Sequence, residues 1–145
     1  MKDSHIGAYG FIGLIASFAL RWSALSAALS AGWLWTPVLV AAITSRAAMA
    51  YVMDMLPNAR TSGLSKMTGT PGKFATRVAA GIAAGAAFLG LGLAGLWVLL
   101  VAGIALMGCA TLARVKIGGQ TGDILGATQQ VTEILVLGTL CALLV

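Results

Sequence analysis

The densest chemistry in this chain lies in Arg114-Val-Lys-Ile-Gly-Gly-Gln-Thr-Gly-Asp-Ile-Leu-Gly-Ala127, a polar island pressed on both sides by apolar sequence. Gly118, Gly119 and Gly122 allow positive φ or a close approach of backbone to a ligand. Gln120, Thr121 and Asp123 supply an amide, a hydroxyl and a carboxylate, and Arg114 and Lys116 add two cations. Asp123 opens the last apolar run, where it serves either as a helix cap or as a ligand for a hard cation. Turning alone needs fewer polar groups, and loops on a rigid scaffold are where binding and catalysis concentrate. A second polar stretch, Pro57 to Thr76, interleaves Arg60, Lys66 and Lys73 with glycines and hydroxyls. Two readings of it stand together: topogenic charge beside membrane spans, or anion binding by backbone nests and basic side chains. The opening Met1-Lys-Asp-Ser-His-Ile-Gly-Ala-Tyr-Gly10 is a third polar cluster, in which a lone His5 reads most simply as polar surface.

The elements that must position these loops follow from composition. Of 145 residues 59% are hydrophobic and 9% charged, and the mean hydropathy is +0.97. A soluble domain carries about 25% charged residues, so the chain reads as an all-α integral membrane protein, one transmembrane domain over residues 1–145. The net charge of +5 does not point to nucleic acid, because the basic residues flank apolar spans and form no stripe with stacking aromatics. Cys109 and Cys141 sit in apolar sequence without CxxC spacing and read as small buried hydrophobes. A cleaved signal peptide fits poorly, since Asp3 and His5 precede the apolar run and Arg21-Trp22 interrupts it.

The first span is expected from about Tyr9 to Leu29, with Arg21 snorkelling to an interface among Trp22, Trp33 and Trp35. The second is expected from about Thr36 to Leu56, and Pro57-Asn58 ends it. From Val78 to Ala113 the chain is apolar for 36 residues, about 54 Å as one helix against a hydrocarbon core of about 30 Å. It must fold back, and the cluster Gly90 to Gly95 is the natural turn. The last span is expected from about Ile124 to Val145. The result is a bundle of about five transmembrane helices. All three polar segments then fall on one face, with seven of nine cations (Lys2, Arg60, Lys66, Lys73, Arg77, Arg114, Lys116), and the positive-inside rule makes that face cytoplasmic. The protein is accordingly expected as a multi-pass protein of a bacterial or archaeal cytoplasmic (inner) membrane. Arg46 and Glu133 lie within spans, each about 13–15 Å from that face, and are expected to pair because unpaired charge at such depth is costly.

Three segments together resemble the cobalamin synthase family of adenosylcobinamide-GDP ribazoletransferases: Lys2-Asp3-Ser4-His5-Ile6-Gly7-Ala8-Tyr9-Gly10, Ala59-Arg60 through Gly63-Leu64, and Gly118-Gly119-Gln120-Thr121-Gly122-Asp123-Ile124-Leu125-Gly126-Ala127. The resemblance runs the length of the chain in motif order. It implies a magnesium-dependent membrane transferase that joins α-ribazole, or its 5′-phosphate, to adenosylcobinamide-GDP and releases GMP. It further implies Asp3 and Asp123 as Mg²⁺ or base groups. Arg60, Lys66, Lys73 and the Gly118, Gly119, Gln120, Thr121 stretch would cradle phosphates, with Arg114 and Lys116 as helpers. Asp54 is a weaker candidate. In the family an acidic motif of Asp-Gly-Leu-Ala-Asp type precedes the Lys-Asp-Ser segment, so the chain reads as the C-terminal part of such an enzyme. Alone it is expected to insert into the membrane without making cobalamin. The expected partners are the two small-molecule substrates and the bilayer, with a homo-oligomer or a separate N-terminal half beside them. The rival classes are a small transporter or channel subunit with Arg46 and Glu133 along its path, an inactive truncated homologue, and a structural assembly subunit; the last does not require the Gly-Gly-Gln-Thr-Gly-Asp loop.

Overall fold

A computed structural model describes residues 7–59 and 69–144. Lys2, Asp3, His5, Arg60 and Lys66, all singled out above, lie outside the described residues. The rest folds into five helices: α1 (Ala8–Ser30), α2 (Trp35–Met55), α3 (Gly72–Leu91), α4 (Gly95–Ile117) and α5 (Gly122–Leu144). Four helical stretches are long and apolar enough to cross a membrane, and the third, Gly72–Ile117, spans 46 residues. A straight helix of that length would reach about 69 Å. It is instead broken by a short 3₁₀ turn, Gly92–Ala94, within the glycine cluster. Gly92 takes φ 58, and a Cβ on Gly95 would stand 2.6 Å from the carbonyl oxygen of Ala87, so the hairpin closes through contacts that only glycine permits. Ala80 and Ala83 of α3 then face Leu99, Ala102 and Leu106 of α4 around a small open cavity that α2 also lines.

The helices run past the apolar stretches at their polar ends. α3 begins at Gly72, so Lys73 and Thr76 are helical although the polar stretch suggests a loop through Thr76. α4 continues through Arg114 and Lys116, cations well placed at a helix C-terminus. Between α1 and α2 the chain makes a Schellman turn: Trp33 N donates to Ala28 O (2.8 Å), Gly32 N donates to Leu29 O (3.0 Å), and Gly32 has φ 85. Pro37 is buried in the first turn of α2, where its missing N–H costs nothing.

α2 and α5 form the centre. Val40, Ala41, Ala87, Val98, Val136 and Leu140 close the main core, and Val52, Leu56, Ala110, Ala113 and Leu125 form a second cluster under the polar loops. Gly90 packs on Thr36, so the C-terminal end of α3 lies beside the start of α2. α1 runs parallel to α5, as Ser17–Gln130 (3.5 Å), Arg21–Glu133 (3.7 Å) and Cys141–Ala24 (3.1 Å) contacts show. The start of α1, the end of α2, the start of α3 and the α4–α5 connection therefore gather at one end of the bundle. The turns at 31–34 and 92–94 occupy the other.

The expected Arg46–Glu133 pair does not form, and this corrects the sequence reading. Glu133 pairs with Arg21, while the Arg46 guanidinium donates to the carbonyl of Ala42 (3.0 Å). Arg46 lies nine positions beyond buried Pro37, about two and a half turns, on the opposite side of α2 from its buried face. Equal depth places two residues in one layer of the bilayer but says nothing about which way each faces. Arg21, expected to snorkel to an interface, is here turned to Glu133.

Candidate functional site

The polar end of the bundle is organised by backbone. Gln120 N donates to Pro57 O (2.8 Å) and Ala59 N donates to Gln120 O (2.9 Å), a parallel bridge between Asn58 and Gln120 that ties the end of α2 to the α4–α5 connection. Gly119 makes this possible: a Cβ there would stand 2.3 Å from Pro57 O and 3.1 Å from Ala59 N. Gly118 ends α4 in the left-handed region with φ 79, its N–H donating to Arg114 O (3.2 Å). Gln120 is fully buried, and its Nε2 donates to Met53 O (3.5 Å).

These contacts change the roles expected for the loop. Gly119 and Gln120 are not at the surface that a phosphate would meet; they clasp two segments together. The Thr121 hydroxyl accepts the N–H of Ile124 (3.3 Å) and caps α5. Gly118 remains exposed. Asp123 follows inside the helix, exposed in the first turn of α5, where a carboxylate is favoured by the helix N-terminus. It faces a cavity of about 450 Å³ that Ala59, Ile117, Thr121, Ile124 and Ala127 also line.

Around this end lie the remaining described candidates. Lys73 and Arg77 are exposed on the first turns of α3, Arg114 and Lys116 are exposed on the last turn of α4, and Asp54 is half-buried near the end of α2. Among the described residues no three His, Cys, Asp or Glu side chains are grouped to hold a metal. Asp54 and Asp123 are the described carboxylates on the elements that meet here. The bridging segment Pro57-Asn58-Ala59 was not among the expected site residues; the only sign of it in the sequence is a proline that stops α2 next to a tandem glycine elsewhere that can accept its backbone. Glu133 and Arg46 belong to other parts of the bundle and do not line a common path.

The family model described as CobS, cobalamin-5-phosphate synthase, matches residues 1–141. A Rhizobium meliloti (strain 1021) protein named adenosylcobinamide-GDP ribazoletransferase is 45% identical over 152 residues, covering 97% of this chain and 57% of its own. A protein of the same name from Sinorhizobium sp is 47% identical with the same coverage. Another from Bradyrhizobium diazoefficiens is 46% identical over 142 residues, with 94% of this chain and 53% of its own covered. The chain thus spans about half the length of these curated relatives. No solved structure matches.

Proposed function

Since the chain belongs to the cobalamin-5-phosphate synthase family, we propose that it serves the reaction named for its relatives, transfer from adenosylcobinamide-GDP to α-ribazole or α-ribazole 5′-phosphate. One observation carries the reading: Asp123 opens onto a cavity of about 450 Å³ at the polar end of the bundle, and Lys73, Arg77, Arg114 and Lys116 are exposed on helix turns at that same end without lining the cavity. In the reaction a ribazole hydroxyl attacks the phosphorus that bears the cobinamide. The new phosphate ester forms, the pyrophosphate bond breaks, and GMP leaves with the electron pair. The hydroxyl proton passes to a base, for which Asp123 is the candidate, while the cations bind and orient the pyrophosphate.

Mg²⁺, when bound, would neutralise charge on the phosphates. It is usually held by one or two carboxylates together with waters and phosphate oxygens, and Asp123 is the described carboxylate on this cavity that would contribute one, while Asp3 lies outside the described residues. Asp123→Asn keeps size and hydrogen bonding and removes the charge. In a complete enzyme carrying this segment, the expected outcome is a loss of GMP release by about a hundredfold or more, with Mg²⁺-dependent binding of adenosylcobinamide-GDP weakened in calorimetry. Helicity and membrane insertion stay normal because Thr121 supplies the cap. Near-normal transfer and binding by the Asn variant would remove Asp123 from the site.

The polar end belongs on the cytoplasmic face by the positive-inside rule, with five membrane crossings and the far turns outside. A cysteine at Lys116 should then resist a membrane-impermeant thiol reagent applied from outside. One at Leu93, exposed in the far turn, should react. Outside labelling at Lys116 reverses the orientation.

A further inference from the structure

The reading above rests on Asp123 and leaves unexplained why a fully buried glutamine stands just before it in the chain. Burying an amide is costly unless its polar atoms are used. Gln120 uses one end of its side chain: Nε2 donates to Met53 O at 3.5 Å, while Oε1 has no partner among the described residues. A methionine would fill the same space and strand no acceptor, so what the amide adds is its donor. The carbonyl that this donor reaches is left open by its own helix. Four residues beyond Met53 stands Pro57, which has no N–H, and the N–H of Leu56 is taken by Val52 O (3.1 Å). Gln120 thus supplies, from the α4–α5 connection, a cap that the end of α2 does not make for itself.

The same residue joins the walls of the cavity. Its backbone N–H donates to Pro57 O (2.8 Å), and its carbonyl accepts the N–H of Ala59 (2.9 Å). Ala59 lines the cavity from one side of this join, and Thr121 and Asp123 line it from the other. The two backbone bonds alone leave the connection free to hinge about the line between them. The side-chain bond to Met53, inside α2, closes that hinge. From these contacts we infer that Gln120 is a positioning residue: by tying the start of α5 to the end of α2, it sets where the Asp123 carboxylate stands against the Ala59 wall. This rests on Asp123 as the base of the transfer. A displacement of about 1 Å, caused by a substitution away from the chemistry, can lower a rate about a hundredfold. Gln120 is buried and does not line the cavity, so its loss should slow turnover and spare substrate binding.

The test uses a complete enzyme carrying this segment, with Gln120→Met, Asp123→Asn and the double variant. Gln120→Met is expected to lower kcat for GMP release about ten- to a hundredfold and to leave KM for adenosylcobinamide-GDP unchanged. In the Asp123→Asn background it is expected to add little, because a residue that acts through Asp123 then has nothing to position. Parental kcat in Gln120→Met, or losses that multiply in the double variant, overturns the inference and leaves Asp123 in the site. Near-parental turnover by Asp123→Asn alone removes the base, and this inference with it. Should Gln120→Met fail to fold, Gln120→Glu decides. Its carboxyl has the shape of the amide and, held neutral by burial, donates its O–H to Met53 O; once ionised it has no donor. Its kcat relative to the parent is expected to fall about tenfold or more as pH rises through that ionisation, with KM unchanged. A ratio independent of pH overturns the inference.

Discussion

The clasp at the polar end and the seam between α1 and α5 both join distant segments through polar groups, but in opposite ways. At the clasp two backbone hydrogen bonds of 2.8 and 2.9 Å hold the Pro57–Ala59 segment, and the side chain between them is wholly buried. At the seam the contacts are made by side chains, Ser17–Gln130 at 3.5 Å, Arg21–Glu133 at 3.7 Å and Cys141 Sγ to Ala24 O at 3.1 Å, beside an open cavity. The clasp is held by backbone and leaves the buried Gln120 Oε1 without a partner, whereas the seam is held by side chains and leaves Arg21 Nε and Nη2 without one. Polar residues in a membrane protein therefore divide by whether backbone or side chain makes the join rather than by residue type. Gln120 has the chemistry of a ligand-binding amide and is used as structure. Arg21 has the look of an interfacial anchor and is turned instead to Glu133, with two of its nitrogens buried and unpartnered.

Breaking the clasp has the largest expected effect. Gly119→Ala drives a methyl group into the backbone of Pro57, which cannot rotate away as a side chain would. About 3 kcal/mol of stability should be lost, at the upper end of ordinary overpacking, measured as the shift in an SDS unfolding titration. Gly126→Ala is the control: its Cβ meets open space in mid-helix, and the gain in helix propensity should stabilise by about 0.5–1 kcal/mol. Equal, small effects of the two substitutions would mean that the Asn58–Gln120 bridge does not hold the end of α2.

That contrast also marks where sequence reasoning stops. Apolar run length places the helices, because a membrane span has a minimum length and Val78 to Ala113 exceeds it enough to demand a fold-back at Gly90 to Gly95. The gathering of polar segments at one end follows from counting turns. The roles of Gly119 and Gln120 were hidden for a physical reason: a glycine that admits a neighbouring backbone and one that admits a phosphate look alike in sequence. The partner of Glu133 was hidden for another. Helix rise gives depth residue by residue, but which helix packs on which face depends on small residues distributed through the whole chain, such as Ala110, Ala113 and Ala102.

A smaller effect separates capping from chemistry within the same loop. Thr121→Ala removes the hydroxyl that accepts Ile124 N–H and should cost about 1 kcal/mol. Thr121→Ser keeps that oxygen and should cost only a few tenths. Asp123→Asn should leave unfolding almost unchanged while removing transfer, so stability and activity fall at neighbouring residues for different causes. A stability loss at Asp123 as large as that at Thr121 would make both residues part of one cap and return Asp123 to structure.

The smallest expected effect tests the seam. A double-mutant cycle with Arg21→Ala and Glu133→Ala isolates their interaction from what each truncation does alone. Couplings between polar side chains in membrane proteins average about 0.6 kcal/mol and reach about 1.7. The 3.7 Å separation and partial exposure place this pair in the lower half of that range. The parallel cycle with Arg46→Ala and Glu133→Ala should be additive within about 0.3–0.5 kcal/mol, because Arg46 turns to Ala42 on the far side of α2. The two cycles share one carboxylate and differ in which arginine faces it, so they compare direction at similar depth. Coupling to Arg46 with none to Arg21 would mean that α1 does not pack on α5 in the bilayer as it does here, and the seam would lose its distinction from the clasp.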